Sequence, residues 1–138
     1  MKSDETAPRL LVVDDEESVR EFTQRALQTA GYEVVAASSG REALELVERR
    51  GPFDGFVVDV VMPGMSGSEL GQELRRADPD AKILYFTGFS DRLFGEKQTL
   101  WANEAFGEKP LTMQGLLEAV SLLLYGDLRN PGKARRTR

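Results

Sequence analysis

The chain has 138 residues and contains neither cysteine nor histidine. A chain of this length suits one domain that buries roughly 70% of its unfolded surface. The missing residue types exclude disulfides, thiol nucleophiles, thiolate and imidazole metal sites, and a phosphohistidine of its own, which leaves oxygen ligands for any metal. The formal net charge is −5, yet Arg129, Lys133, Arg135, Arg136 and Arg138 make residues 129–138 +5, so residues 1–128 carry −10. Such an acidic body binds nucleic acid poorly, and the tail reads as a solubilising end. No apolar stretch reaches membrane-spanning length, and Met1-Lys2-Ser3-Asp4-Glu5 is too polar for a secretory signal, so a cytoplasmic setting is expected.

Leu10-Leu11-Val12-Val13 reads as a first strand and closes on Asp14-Asp15. Val19, Phe22, Ala26, Leu27 and Ala30 then fall on one helical face, with Gly31 as the stop. Tyr32 to Ala37 is a second β-rich run. Ala43, Leu44 and Val47 mark a second helix, closed by Gly51-Pro52. A third run, Phe56-Val57-Val58, ends on Asp59, and the turn-rich Met62-Pro63-Gly64-Met65-Ser66-Gly67 precedes a helix through Leu70 and Leu74. The fourth run, Ile83-Leu84-Tyr85-Phe86, ends on Thr87. From Asp91 to Asn103 the periodicity weakens around Gly95, and a short or frayed helix is expected. Ala105-Phe106 forms a weaker fifth run leading to Lys109-Pro110. Thr112 is a plausible cap for a last helix, in which Met113, Leu116, Leu117, Val120, Leu123 and Leu124 recur at helical spacing up to Gly126.

Five β/α units imply an α/β domain with a parallel sheet and helices on both faces. The carboxyl ends of parallel strands share one edge, where open α/β sheets bind ligands. Asp14, Asp15, Asp59, Thr87 and Lys109 would then meet in one pocket. Three carboxylates repel one another in water, so their sensible purpose is to hold a hard divalent cation, with Thr87 and Lys109 left to grip an anion. That combination describes a phosphorylation site.

Val13-Asp14-Asp15-Glu16, Asp59 with Met62-Pro63-Gly64-Met65-Ser66-Gly67, Thr87-Gly88 and Lys109-Pro110 occur in order, each after its own apolar run. Together they resemble the receiver domain of two-component response regulators over residues 9–125, leaving 1–8 as an N-terminal extension and 126–138 as a basic C-terminal tail. The resemblance implies a five-stranded parallel sheet of order 2-1-3-4-5, the flavodoxin-like receiver fold. It implies Asp59 as phosphoacceptor, forming an acyl phosphate. Mg²⁺, with Mn²⁺ an acceptable substitute, would be held by Asp14, Asp15, Asp59 and the backbone carbonyl of Val61. Which acid of the pair ligates directly and which acts through water stays open, and Asp15 or Glu16 can also cap the first helix.

Lys109 would pair with Asp59 and later with phosphoryl oxygens, Pro110 positioning it through a cis bond. Thr87 would move to bond a phosphoryl oxygen beside the space left by Gly88, and Phe106 would turn inward as the switch aromatic. Val61 and Phe89 would flank the phosphoryl group without orienting water, which predicts slow self-dephosphorylation. Implied partners are a histidine kinase or histidine phosphotransfer protein, and a downstream protein bound through the fourth helix, fifth strand and fifth helix. Direct nucleic-acid or membrane binding is not expected, and a homodimer is compatible with the pattern. Leu93, Phe94 and Trp101 read as core or as a docking patch.

Such a domain is a stoichiometric phosphoacceptor rather than an enzyme. It resembles both free-standing receivers and those that end hybrid histidine kinases. A phosphatase of the haloacid dehalogenase kind needs an acid two residues after the nucleophile, where this chain has Val61. A pseudo-receiver that only binds partners is the alternative, but an unused cluster of like charges would be a liability.

Overall fold

The computed structural model describes residues 7–87, 104–108 and 112–126, with the backbone alone described at 87 and 104–108. Its elements alternate as β1 (Arg9–Val13), α1 (Glu17–Thr29), β2 (Glu33–Ala37), α2 (Gly40–Arg50), β3 (Gly55–Asp59), α3 (Gly67–Ala77), β4 (Ile83–Thr87), β5 (Glu104–Glu108) and α4 (Met113–Tyr125). The helix read between Asp91 and Asn103 falls outside the described residues, so α4 is the helix expected as the last. The strands form one parallel sheet in the order β2-β1-β3-β4-β5, the arrangement the resemblance implied.

Successive strand residues point to opposite faces, and here both faces are covered, so the strands read as continuous apolar runs. Leu11, Val13, Val58, Ile83 and Tyr85 pack with Ala43 and Leu46 of α2 and Leu70 and Leu74 of α3. Their strand neighbours Leu10, Val12, Val57, Leu84 and Phe86 pack on the other face with Ala26 and Leu27 of α1 and Leu116, Val120 and Leu124 of α4. At about 1.5–3 kcal/mol for each fully buried aliphatic side chain, these two layers dominate the stability of the fold.

Side-chain caps set the helix starts. The Ser39 hydroxyl accepts the Glu42 N–H at 3.1 Å, while the Glu42 carboxylate accepts the Ser38 N–H at 2.7 Å. At α3 a reciprocal pair forms: the Ser66 hydroxyl accepts the Glu69 N–H at 3.1 Å, and the Glu69 carboxylate accepts the Ser66 N–H at 2.9 Å. Thr112 caps α4 as expected, accepting the Gly115 N–H at 2.9 Å. Gly31 and Gly126 end their helices with φ of 106° and 78°, a left-handed geometry that favours glycine.

Two residues of the apolar helical faces turn outward. Phe22 is 43% exposed and Met113 44% exposed. In α1 the inward stripe runs through Thr23, Ala26 and Leu27, and Phe22, one residue away, is rotated by about 100° from Thr23. In α4 the buried stripe is Leu116, Val120, Ser121 and Leu124, which leaves Leu117 and Leu123 half-buried and Met113 on the open first turn.

Candidate functional site

The register decides the site. β1 and β3 pair with Val13 opposite Val58, so one further residue on each strand brings Asp14 beside Asp59. Strand order reverses at β1, and the crevice between β1 and β3 is where open α/β sheets take ligands. Asp14 is 3% exposed and Asp59 5%, whereas Asp15 is exposed. One carboxylate oxygen from each of these three residues lies within 4.8 Å of the others. Oxygens around Mg²⁺ at about 2.1 Å stand up to about 4.2 Å apart. The trio therefore fits one small cation after a sub-ångström closure, or with one acid reaching through a water.

Asp14 is held at three points. Its N–H donates to Ala37 O at 3.1 Å, and its Oδ1 accepts the Glu16 N–H at 2.9 Å. Its carbonyl oxygen accepts from Arg20 Nη1 at 2.9 Å. Glu16 occupies the N-cap of α1 without a side-chain cap bond, so the Asp14 carboxylate, rather than Glu16, organises this turn.

Asp59 is held through its backbone neighbours. The Val60 N–H donates to Phe86 O at 2.8 Å, and the Gly67 N–H donates to Val60 O at 2.9 Å, which closes the intervening loop. Gly67 presses on the strand end: a Cβ there would collide with the Asp59 carbonyl oxygen and stand 2.7 Å from the Val60 Cα. Gly64 turns the loop at φ 77°. Met65 lies against Gly40 at the start of α2, where an added Cβ would be 2.8 Å from its sulfur. The Val61 side chain, 44% exposed, stands on the loop two residues after Asp59.

Asp59 pairs with Phe86, so Thr87, the last residue of β4, follows directly at the same edge. In β5, Phe106 is opposite Tyr85 and Glu108 opposite Thr87, so Lys109 is the next residue along. Gly88, Phe89, Leu93, Phe94, Trp101, Lys109 and Pro110 lie outside the described residues. On the flank of α1, a groove of about 240 Å³ is lined among the described residues by Ser18, Glu21, Phe22, Arg25, Ala26 and Met113. Among the described residues no helix is long and apolar enough to cross a membrane.

The structure adds two residues that sequence reasoning did not assign to the site. Arg20 carries the positive charge in a stretch otherwise made acidic by Asp15, Glu16, Glu17 and Glu21, and that contrast was its only sequence signal. Gly67 stood in the sequence only as the last residue of the turn-rich motif after Asp59, and its own role depends on a close approach between α3 and the end of β3.

The family model described as the response regulator receiver domain matches residues 10–121. Sensor kinase CckA of Brucella abortus (strain 2308) is 40% identical over 116 residues, which covers 83% of this chain and 12% of the kinase. Response regulator receiver protein CpdR of the same organism is 31% identical over 116 residues, covering 84% of this chain and 96% of CpdR. The crystal structure of response regulator TrrA from Thermotoga maritima, in complex with Mg²⁺-BeF, superposes with a TM-score of 0.76 at 38% identity, covering 85% of this chain and 99% of that one. This chain thus spans a small part of the kinase and nearly all of CpdR. Its sheet order, its strand-end acids and these matches agree: the chain belongs to the response regulator receiver domain family of two-component systems.

Proposed function

We infer that residues 9–125 form a receiver in which Asp59 accepts a phosphoryl group from the phosphohistidine of a partner histidine kinase or histidine phosphotransfer protein. The observation that carries this reading is the β1–β3 register, which brings oxygens of Asp14, Asp15 and Asp59 within 4.8 Å of one another. An Asp59 oxygen attacks phosphorus as the phosphorus–nitrogen bond breaks, and the electron pair departs on the donor imidazole. Mg²⁺, or Mn²⁺, held by Asp14, Asp15, Asp59 and the Val61 carbonyl would supply positive charge to the phosphoryl oxygens. Asp14, pinned at amide, carboxylate and carbonyl, enters the site already oriented. Lys109, positioned by Pro110, contributes a second positive charge, and Thr87 beside Gly88 contributes a hydroxyl to the transferred group.

Movement of Thr87 and a turn of Phe106 would pass the change to a face made by the helix expected from the sequence before β5, β5 itself and α4, where a downstream protein or a second copy binds. The donor meets the other flank: exposed Phe22 and Met113 border the groove along α1, the helix that follows the Asp14-Asp15 pair, and would give a partner apolar surface. Matches to both a kinase and a receiver of nearly the same length fit either a free-standing regulator or the receiver of a hybrid kinase, and on this reading the domain acts in the cytoplasm.

The test is intact-mass measurement of wild type and Asp59→Ala after incubation with acetyl phosphate and Mg²⁺. A one-phosphoryl gain confined to the wild type is expected. Absence of the adduct from both would favour a pseudo-receiver that only binds partners.

A further inference from the structure

Arg20 reaches back from the second turn of α1, half-buried, and its Nη1 donates to the carbonyl oxygen of Asp14 at 2.9 Å. The residue it holds carries a carboxylate that is buried and belongs to the trio of strand-end acids. Of the three contacts described for Asp14, one is the Glu16 backbone N–H donating to its carboxylate and one joins its own N–H to the Ala37 carbonyl, so both partners are main-chain groups of the surrounding loop and strand. The Arg20 contact comes from a side chain and can be removed without altering any acid of the trio.

We propose that Arg20 is a positioning residue for the cation site: by tying down the Asp14 carbonyl, it keeps the Asp14 carboxylate facing those of Asp15 and Asp59. This rests on the reading of the trio as a Mg²⁺ site. Two effects of the guanidinium oppose each other. Its charge disfavours an incoming cation, while its hydrogen bond prevents the Asp14 loop from turning away. The charge is partly in water and screened, whereas the bond acts on the residue that must be oriented, so orientation dominates.

The experiment is calorimetric titration of Mg²⁺ alone into the full chain, as wild type, Arg20→Met and Arg20→Lys, with thermal unfolding of each recorded without Mg²⁺. Arg20→Met is expected to weaken Mg²⁺ binding about tenfold, the lower end for losing a group that orients a metal ligand, with Arg20→Lys recovering most of it. Its unfolding temperature should stay close to wild type, and added Mg²⁺ should restore phosphorylation by acetyl phosphate, which separates an affinity defect from general damage. Should Arg20→Met fail to fold, Arg20→Gln carries the same expectation. Unchanged or tighter Mg²⁺ binding in the variant overturns the proposal, the tighter case assigning Arg20 to charge alone. Lack of Mg²⁺ binding by the wild type overturns the site reading instead.

Discussion

Replacing Gly67 by alanine puts one methyl group where α3 meets the end of β3. Its Cβ would collide with the carbonyl oxygen of Asp59 and stand 2.7 Å from the Val60 Cα, and both are main-chain atoms that cannot rotate aside. The helix start or the strand end must therefore shift, and with it the closing bond from the Gly67 N–H to Val60 O at 2.9 Å. Overpacking of this kind costs about 1–3 kcal/mol, and the alanine recovers about 0.5–1 kcal/mol through helix propensity and a less flexible unfolded chain. The net loss lies between about 0 and 2.5 kcal/mol, centred on about 1 kcal/mol, or a fall in Tm of roughly 3–4 °C at the centre for a domain of this size.

Because the displaced carbonyl belongs to Asp59, phosphorylation should fall by more than stability explains, on the order of 100-fold if the nucleophile moves by about 1 Å. The assay pairs thermal unfolding with the rate of acyl-phosphate formation at a temperature where the variant is folded. Gly71→Ala is the comparison: its Cβ would strike the Tyr85 hydroxyl beneath α3, a side-chain clash away from Asp59. It should lower Tm while leaving the phosphorylation rate near wild type. A Gly67→Ala protein with wild-type Tm and wild-type rate would refute the close-approach argument.

Ser66→Ala removes the acceptor for the Glu69 N–H at the start of α3, and denaturant unfolding should show a loss of about 1 kcal/mol. Tyr32 is buried, and its hydroxyl has no hydrogen-bond partner among the described residues, so Tyr32→Phe should unfold at the same or a higher temperature. Burial first, and the nearby Tyr125 second, push the Tyr32 phenol above its ordinary value. A raised folded-state pKa favours the neutral form, so this contribution is complete below about pH 10 and is lost as pH rises beyond it. Tyr32→Phe should accordingly flatten the alkaline fall in stability, and an unchanged slope would count against burial as its cause. Mg²⁺ at about 100 times its Kd should stabilise the wild type by about 2.7 kcal/mol, with EDTA reversing the gain and Asp59→Ala largely abolishing it. A Tm indifferent to Mg²⁺ would count against a cation site at the trio.

The alternation of elements was legible because two-sided burial leaves an unmistakable pattern: whole apolar strands such as Leu10 to Val13, separated by stripes at helical spacing. Caps at Thr112 and stops at Gly31 and Gly126 were readable for the same local reason, since a cap bonds within its own turn. Phe22 and Met113, read as members of apolar helical faces, stand at the exposed edges of those faces. Hydrophobicity alone does not say which edge of a broad apolar stripe meets the sheet, and the packing of α1 and α4 on a twisted surface decides it.

By itself, the sequence determined the α/β class and the placing of Asp14, Asp15 and Asp59 at strand ends, because those follow from periodicity and from the shared direction of parallel strands. The resemblance implied β1 between β2 and β3, but only the tertiary structure decided the register, Val13 opposite Val58, that sets Asp14 against Asp59. It alone brought Arg20 to the Asp14 carbonyl and the bare α-carbon of Gly67 to that of Asp59. These are distances between residues far apart in the chain or turned toward each other by packing, and no local pattern encodes them.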